Sequence, residues 1–168
     1  MAGASIIVED QAVREALARL QTLNAGGKAL KWIGTEVAAQ VRHRIDTGGP
    51  GPDGTAWHPL NAAYAANKKG AGILKGLAMR GGLQGSIAWA VDGDSVRIGS
   101  NKVYAAIHQF GGTIRPVRAA ALVFHLGGKL IRAHAVTIPA RPYLGLSADN
   151  RRDLEELLIS QIERLLSA

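Results

Sequence analysis

Residues 86–100 read SIAWAVDGDSVRIGS, and the alternation inside them decides the fold class. Ile87, Trp89 and Val91 recur at every second position, Val96 and Ile98 do so again, and Asp92-Gly93-Asp94 stands between the two runs. A period of two places alternate side chains on one face of a strand. An Asp-Gly step between two such runs is suited to a tight hairpin turn. An antiparallel pair is therefore predicted here.

Upstream, Leu30, Ile33, Val37, Val41 and Ile45 follow helical spacing, with Glu36 and the cluster Arg42, His43, Arg44 assigned to other faces. That helix should stop at DTGGPGPDG, residues 46–54, where glycine and proline cannot continue it. Val13, Ala16, Leu17 and Leu20 predict an earlier helix over residues 9–23, ended by Asn24, Gly26 and Gly27. Downstream come a helical turn from Val103 to Phe110 and strands over 122–126 and 130–138, joined by Gly127 and Gly128. Leu154, Leu157, Leu158, Ile162 and Leu165 mark a final helix capped by Ser147 or Asp149.

The expected class is α+β: an antiparallel sheet of about four strands packed with long N-terminal and C-terminal helices, in one domain over residues 1–168. Strands and helices do not alternate, which argues against Rossmann and barrel enzymes. Residues 46–82 read as a long Gly/Ala-rich loop or arm. A loop of that length is unusual inside a compact domain and suits a segment ordered by a neighbour.

The 168 residues include 20 basic and 13 acidic ones, a net charge of +7, and no cysteine. Disulfides, thiolate metal sites and cysteine nucleophiles are thereby excluded. The longest uncharged stretches, such as residues 81–91, fall short of the roughly 18 apolar residues that cross a bilayer, so no membrane association is expected. The opening MAGASIIVEDQ lacks the basic-then-apolar pattern of a secretory signal, so synthesis in a cytoplasm is expected. The basic excess is local. Residues 1–53 balance, residues 54–148 carry +9, and residues 149–168 carry −2. Such a field attracts nucleic acid or an acidic protein surface.

Catalytic motifs are weak. Asp46-Thr47-Gly48 has the aspartic-protease pattern, but it follows a helix end and has no second copy in the chain. His43, His58, His108, His125 and His134 show no metal-binding spacing. Neither G-x-S-x-G, nor G-x-G-x-x-G after a strand, nor G-x-x-x-x-G-K-[ST] is present. No cofactor and no enzymatic activity are expected. The basic residues Lys68, Lys69, Lys75, Arg80, Arg115, Arg118, Lys129 and Arg132 are not interleaved with aromatics, so any DNA contact should be to phosphates and without sequence preference.

Three stretches carry a resemblance. DTGGPGPDGTAWHPL places Gly54, Trp57, Pro59 and Leu60 in a DG-x-x-W-x-P-L pattern, followed by Lys68 and Lys69. RIGSNKVYAAIHQFGG places Tyr104, Ala105, His108, Gln109, Gly111 and Gly112 in YA-x-x-HQ-x-GG. IPARPYLGLS supplies Arg141, Pro142, Tyr143 and Gly145 ahead of the last helix. In this order and spacing the chain resembles the phage virion morphogenesis, or tail completion, family of Mu-like and P2-like tailed phages.

The resemblance implies a non-enzymatic structural protein of the virion neck, made in the host cytoplasm, for head-tail joining or for tail completion and termination. It implies a ring of identical subunits, six by analogy, in contact with other neck, head-completion or tail-tube proteins. DNA would pass through the ring without sequence-specific contact. The alternative is a non-sequence-specific nucleic-acid-binding module acting in phage DNA packaging. Trp57, Lys68, Lys69, Tyr104, His108, Gln109, Arg141 and Tyr143 are the candidate subunit or partner interface residues. Trp57 is either a clamp on its own domain or, as favoured here, an anchor in the next subunit. Arg141 should be free to reach a carboxylate, and Gly111 and Gly112 should let the chain leave a helical turn with positive φ and enter a strand.

Overall fold

A computed structural model describes residues 15, 18, 21, 27–68, 70, 72–76 and 82–167. The helix predicted over residues 9–23 lies outside the described residues, apart from Glu15, Ala18 and Gln21, which are helical and exposed.

Helix α1, Lys28–Thr47, carries the expected stripe, and its buried face is Val37, Ala38, Val41 and Ile45. It ends at Gly48, whose φ of 84° lets the main-chain N–H turn back to the Arg44 and Ile45 carbonyls. Strands β1, Ile87–Asp92, and β2, Ser95–Ser100, pair antiparallel from Ile87↔Ser100 to Asp92↔Ser95, as the alternation predicts. Trp89 lies so close over α1 that a Cβ on Gly34 would stand 2.5 Å from its ring, so glycine sets the helix-to-sheet distance. Ile87 and Leu83 complete this side of the core.

The four-stranded sheet is corrected to three separate two-stranded ladders. The first is β1–β2. The second pairs β3, Gly112–Ile114, with β6, Val136–Ile138. The third pairs β4, Leu122–Leu126, with β5, Lys129–Ala133. The run predicted as one strand over 130–138 breaks at His134-Ala135, so its halves pair with different partners. Two short helices, α2 (Ala62–Asn67) and α3 (Ala105–Phe110), a 3-10 turn at Gln84–Ser86 and the terminal helix α4 (Ala148–Ser167) accompany these ladders. Ser147 caps α4 as expected: its Oγ accepts from Asn150 N–H at 3.1 Å, while its own N–H donates to Asn150 Oδ1 at 3.4 Å.

Residues 48–67 are not an extended arm. Gly51 N–H donates to Thr55 O and Gly54 N–H to Gly51 O, closing a tight loop. Asp53 Oδ1 accepts from Thr55 N–H, and Trp57 is buried. The chain then enters α2, where the Asn61 side chain accepts from the Ala63 and Tyr64 N–H groups. The hairpin β4–β5 reaches this helix at its tip, where a Cβ on Gly127 would meet Ala63 Cβ at 3.3 Å.

Candidate assembly site

The three motifs that lie far apart in sequence meet on one short connector, residues 141–145. From the first motif, Trp57 Nε1–H donates to Pro142 O at 2.9 Å, and its ring lies over Gly49. From the second, Gln109 Oε1 accepts from the N–H groups of Tyr143 and Leu144 at 3.0 and 2.9 Å, and its amide donates to Leu144 O. Tyr143, 1% exposed, donates its hydroxyl to Ala105 O in return. Burial pushes the Tyr143 pKa up.

Two buried guanidinium groups hold the connector from either side. Arg44 donates to Tyr143 O at 2.8 Å, Gly145 O at 2.9 Å and Asn150 Oδ1. Arg141 donates to His58 O at 2.8 Å and Pro59 O at 2.9 Å, while its N–H donates to His108 O at 2.7 Å. Neither forms an ion pair among the described residues, and the acceptors of both are neutral oxygens. Desolvation lowers the pKa of each guanidinium below its ordinary value, and both stay charged, since arginine does not deprotonate in proteins. The expectation that Arg141 reaches a carboxylate is corrected: it locks the first motif to the third. Backbone geometry agrees with this packing. Gly111, φ 69°, has no room for a Cβ beside Ala140 N at 2.7 Å, and the chain enters β3 at Gly112, φ 149°, as predicted.

Tyr104, His108, Arg141, Lys68 and Tyr64 line one open cavity of about 580 Å³ beside this junction. Tyr104 and His108 meet edge to face with ring centroids 5.9 Å apart. His108 Nδ1 is buried without a hydrogen-bond partner among the described residues. Desolvation, and secondarily the neighbouring Arg141 charge, lowers its pKa and favours the neutral ring. Lys68 Nζ donates to Gly70 O and Lys75 O, and desolvation lowers its pKa as well.

Trp57, Gln109, Arg141 and Tyr143 therefore meet one another, Tyr104, His108 and Lys68 gather at the cavity, and Lys69 lies outside the described residues. At 7% exposure, Trp57 is the clamp on its own domain and not the anchor favoured from sequence. Arg44 was assigned to an outward face, yet it is 8% exposed. Its spacing was the available signal: three after Val41 and seven after Val37 is the core stripe of α1. Asp46 pairs with Lys75 at 2.6 Å, and this partner lowers its pKa, which is unlike a carboxylate sharing a proton with a second one. Among the described residues no group of three or more His, Asp or Glu side chains is placed to hold a metal. No described helix is long and apolar enough to cross a membrane.

Residues 8–163 match the model of the phage virion morphogenesis family. A putative capsid assembly protein G of Escherichia phage Mu is 30% identical over 118 residues, covering 68% of this chain and 66% of the relative. The match thus spans just under two thirds of that relative. No solved structure matches the chain. The motifs joined at residues 141–145 and a family match over nearly the whole sequence lead to one conclusion: the chain belongs to the phage virion morphogenesis family.

Proposed function

We propose that this protein is a structural component of the virion neck that assembles as a ring, six subunits by analogy, and completes or terminates the tail for head-tail joining. The observation that carries the reading is a surface that one copy leaves uncovered. Val103, Val117, Phe110 and Leu130 are 100%, 95%, 78% and 60% exposed, in a chain whose described buried apolar core is nine residues. Isolated exposed apolar side chains are ordinary, but several large ones spread over the loops, the end of α3 and the hairpin after β2 suit a surface that other subunits cover. Partners would be further copies and other neck, head-completion or tail-tube proteins, and the protein acts without catalysis. The relative's name, a putative capsid assembly protein, supports an assembly role of this kind.

The test is genetic. A phage lacking this gene should accumulate DNA-filled heads and free tails that join when purified protein is added. Normal numbers of joined particles without the protein would refute the reading. A second reading, a phosphate-binding module acting in DNA packaging, is favoured by the exposed Arg115, Arg118, Lys129 and Arg132, which form no ion pair among the described residues. It requires duplex binding that falls steeply with salt, and undetectable binding at low salt would remove it.

A further inference from the structure

We propose that a second copy of this chain lays the outer face of its α4 helix across the outer face of the β4–β5 hairpin, so that identical subunits join head to tail. This rests on the self-assembly proposed above and names the two surfaces that would carry it. On the hairpin, the pairs Val123↔Arg132 and His125↔Leu130 place four side chains on one face, and all four are exposed. The opposite face, with Phe124 and Ile131, is half-buried, and Lys129 at the turn, exposed and paired with Leu126, belongs to that face. The hairpin thus turns Arg132 and His125, beside the apolar Val123 and Leu130, away from its own domain.

Helix α4 presents the complement. Asp153, Glu156 and Glu163 recur at helical spacing on one exposed stripe, with the exposed Ile159 beside them. Two cations share that side: Arg152 at the helix start is already paired with Asp149, and Arg164 stands at the far end beyond Glu163. From Asp153 to Glu163 the helix rises about 15 Å, close to the about 14 Å spanned by a five-residue strand. None of Arg132, Asp153, Glu156 and Glu163 has an ion-pair partner among the described residues. Each surface therefore holds charge that the described part of its own chain leaves unused.

The apolar centre discriminates between occupants. Phosphate contacts need cations alone, whereas Val123 and Leu130, 55% and 60% exposed, find a counterpart in Ile159, 56% exposed. The two patches differ, so the contact is heterologous and propagates until it closes, which is how one kind of subunit makes a ring.

The experiment compares wild type, the hairpin variant H125E/R132E, the helix variant E156K/E163K and an equimolar mixture of the two variants by light scattering over a concentration series. Circular dichroism of each confirms folding. Wild type should form multi-subunit particles, each variant alone should associate about a hundredfold more weakly through like-charge contacts, and the mixture should regain assembly. Regain follows because each variant's reversed surface then meets an opposite one, giving alternating rings with an even number of subunits. Assembly of either variant alone at wild-type strength would overturn this contact while leaving ring formation intact. A wild type that stays monomeric at every concentration would overturn self-association and this contact together. Loss of duplex DNA binding in H125E/R132E with unchanged mass would instead assign the hairpin face to nucleic acid.

Discussion

The connector at residues 141–145 and the β4–β5 hairpin dispose of their polar groups in opposite ways. Around the connector, two buried arginines, a glutamine, a tyrosine and a tryptophan donate to or accept from main-chain groups of the same chain. On the hairpin, Arg132, His125 and Lys129 stand beside exposed valine and leucine with no ion pair among the described residues. A buried donor without a partner costs about 1–3 kcal/mol, so the first region is held by the need to satisfy its own groups. An exposed charge pays no such penalty. The difference teaches that motif residues which mark a family can be its internal joinery, while the surface proposed to meet another copy lies in less distinctive sequence.

The contrast can be broken most directly at the connector. Trp57→Ala should cost about 3–5 kcal/mol by emptying a buried ring site, read as a lowered urea midpoint, and Trp57→Phe only about 1 kcal/mol for the lost hydrogen bond to Pro142 O. A Trp57→Ala protein with wild-type stability would mean that the indole serves a partner instead. Arg44→Ala should cost about 3 kcal/mol, because the carbonyls of Tyr143 and Gly145 lose their donor. Arg44→Lys should recover less than half of that loss, since an ammonium cannot reproduce the fork. Gly111→Ala, strained by positive φ and close to Ala140 N, should cost about 2 kcal/mol.

His108 gives a smaller effect with a definite sign. Burial and Arg141 keep its folded-state pKa below the ordinary value, so below about pH 6.5 the unfolded chain binds a proton that the folded chain does not. Stability is full above that value and should decline as pH falls from 7 to 5. Thermal melts should show the decline in wild type and a flatter profile in His108→Gln; parallel profiles would remove the histidine from the account. At the hairpin, Leu130→Ser should leave stability within about 0.5 kcal/mol and weaken self-association. A large stability loss there would erase the contrast between the two regions.

Legibility in the sequence followed the range of the interactions. The β1–β2 hairpin and α1 were read close to their observed limits, because alternation, helical spacing and glycine stops are local signals. The exit through Gly111 and Gly112 and the Ser147 cap were local too. The strand entered at Gly112 was anticipated without its limits or partner: three residues, Gly112 to Ile114, carry no period, and only the partner β6 makes them a strand. Arg44 was misplaced because charge outweighed spacing, and Arg141 because its partners are carbonyl oxygens, which sequence does not display.

The amino-acid sequence by itself determined the α+β class, the principal helix and hairpin boundaries, the uneven charge and the family, since each is written in neighbouring residues or in motif order. Only the tertiary structure decided that the strands form three ladders instead of one sheet, that Trp57 clamps its own chain, and that the three motifs meet at residues 141–145. Those outcomes depend on which main-chain oxygens are left for a buried donor once the chain has folded, and that choice is made between residues about 30 to 100 positions apart.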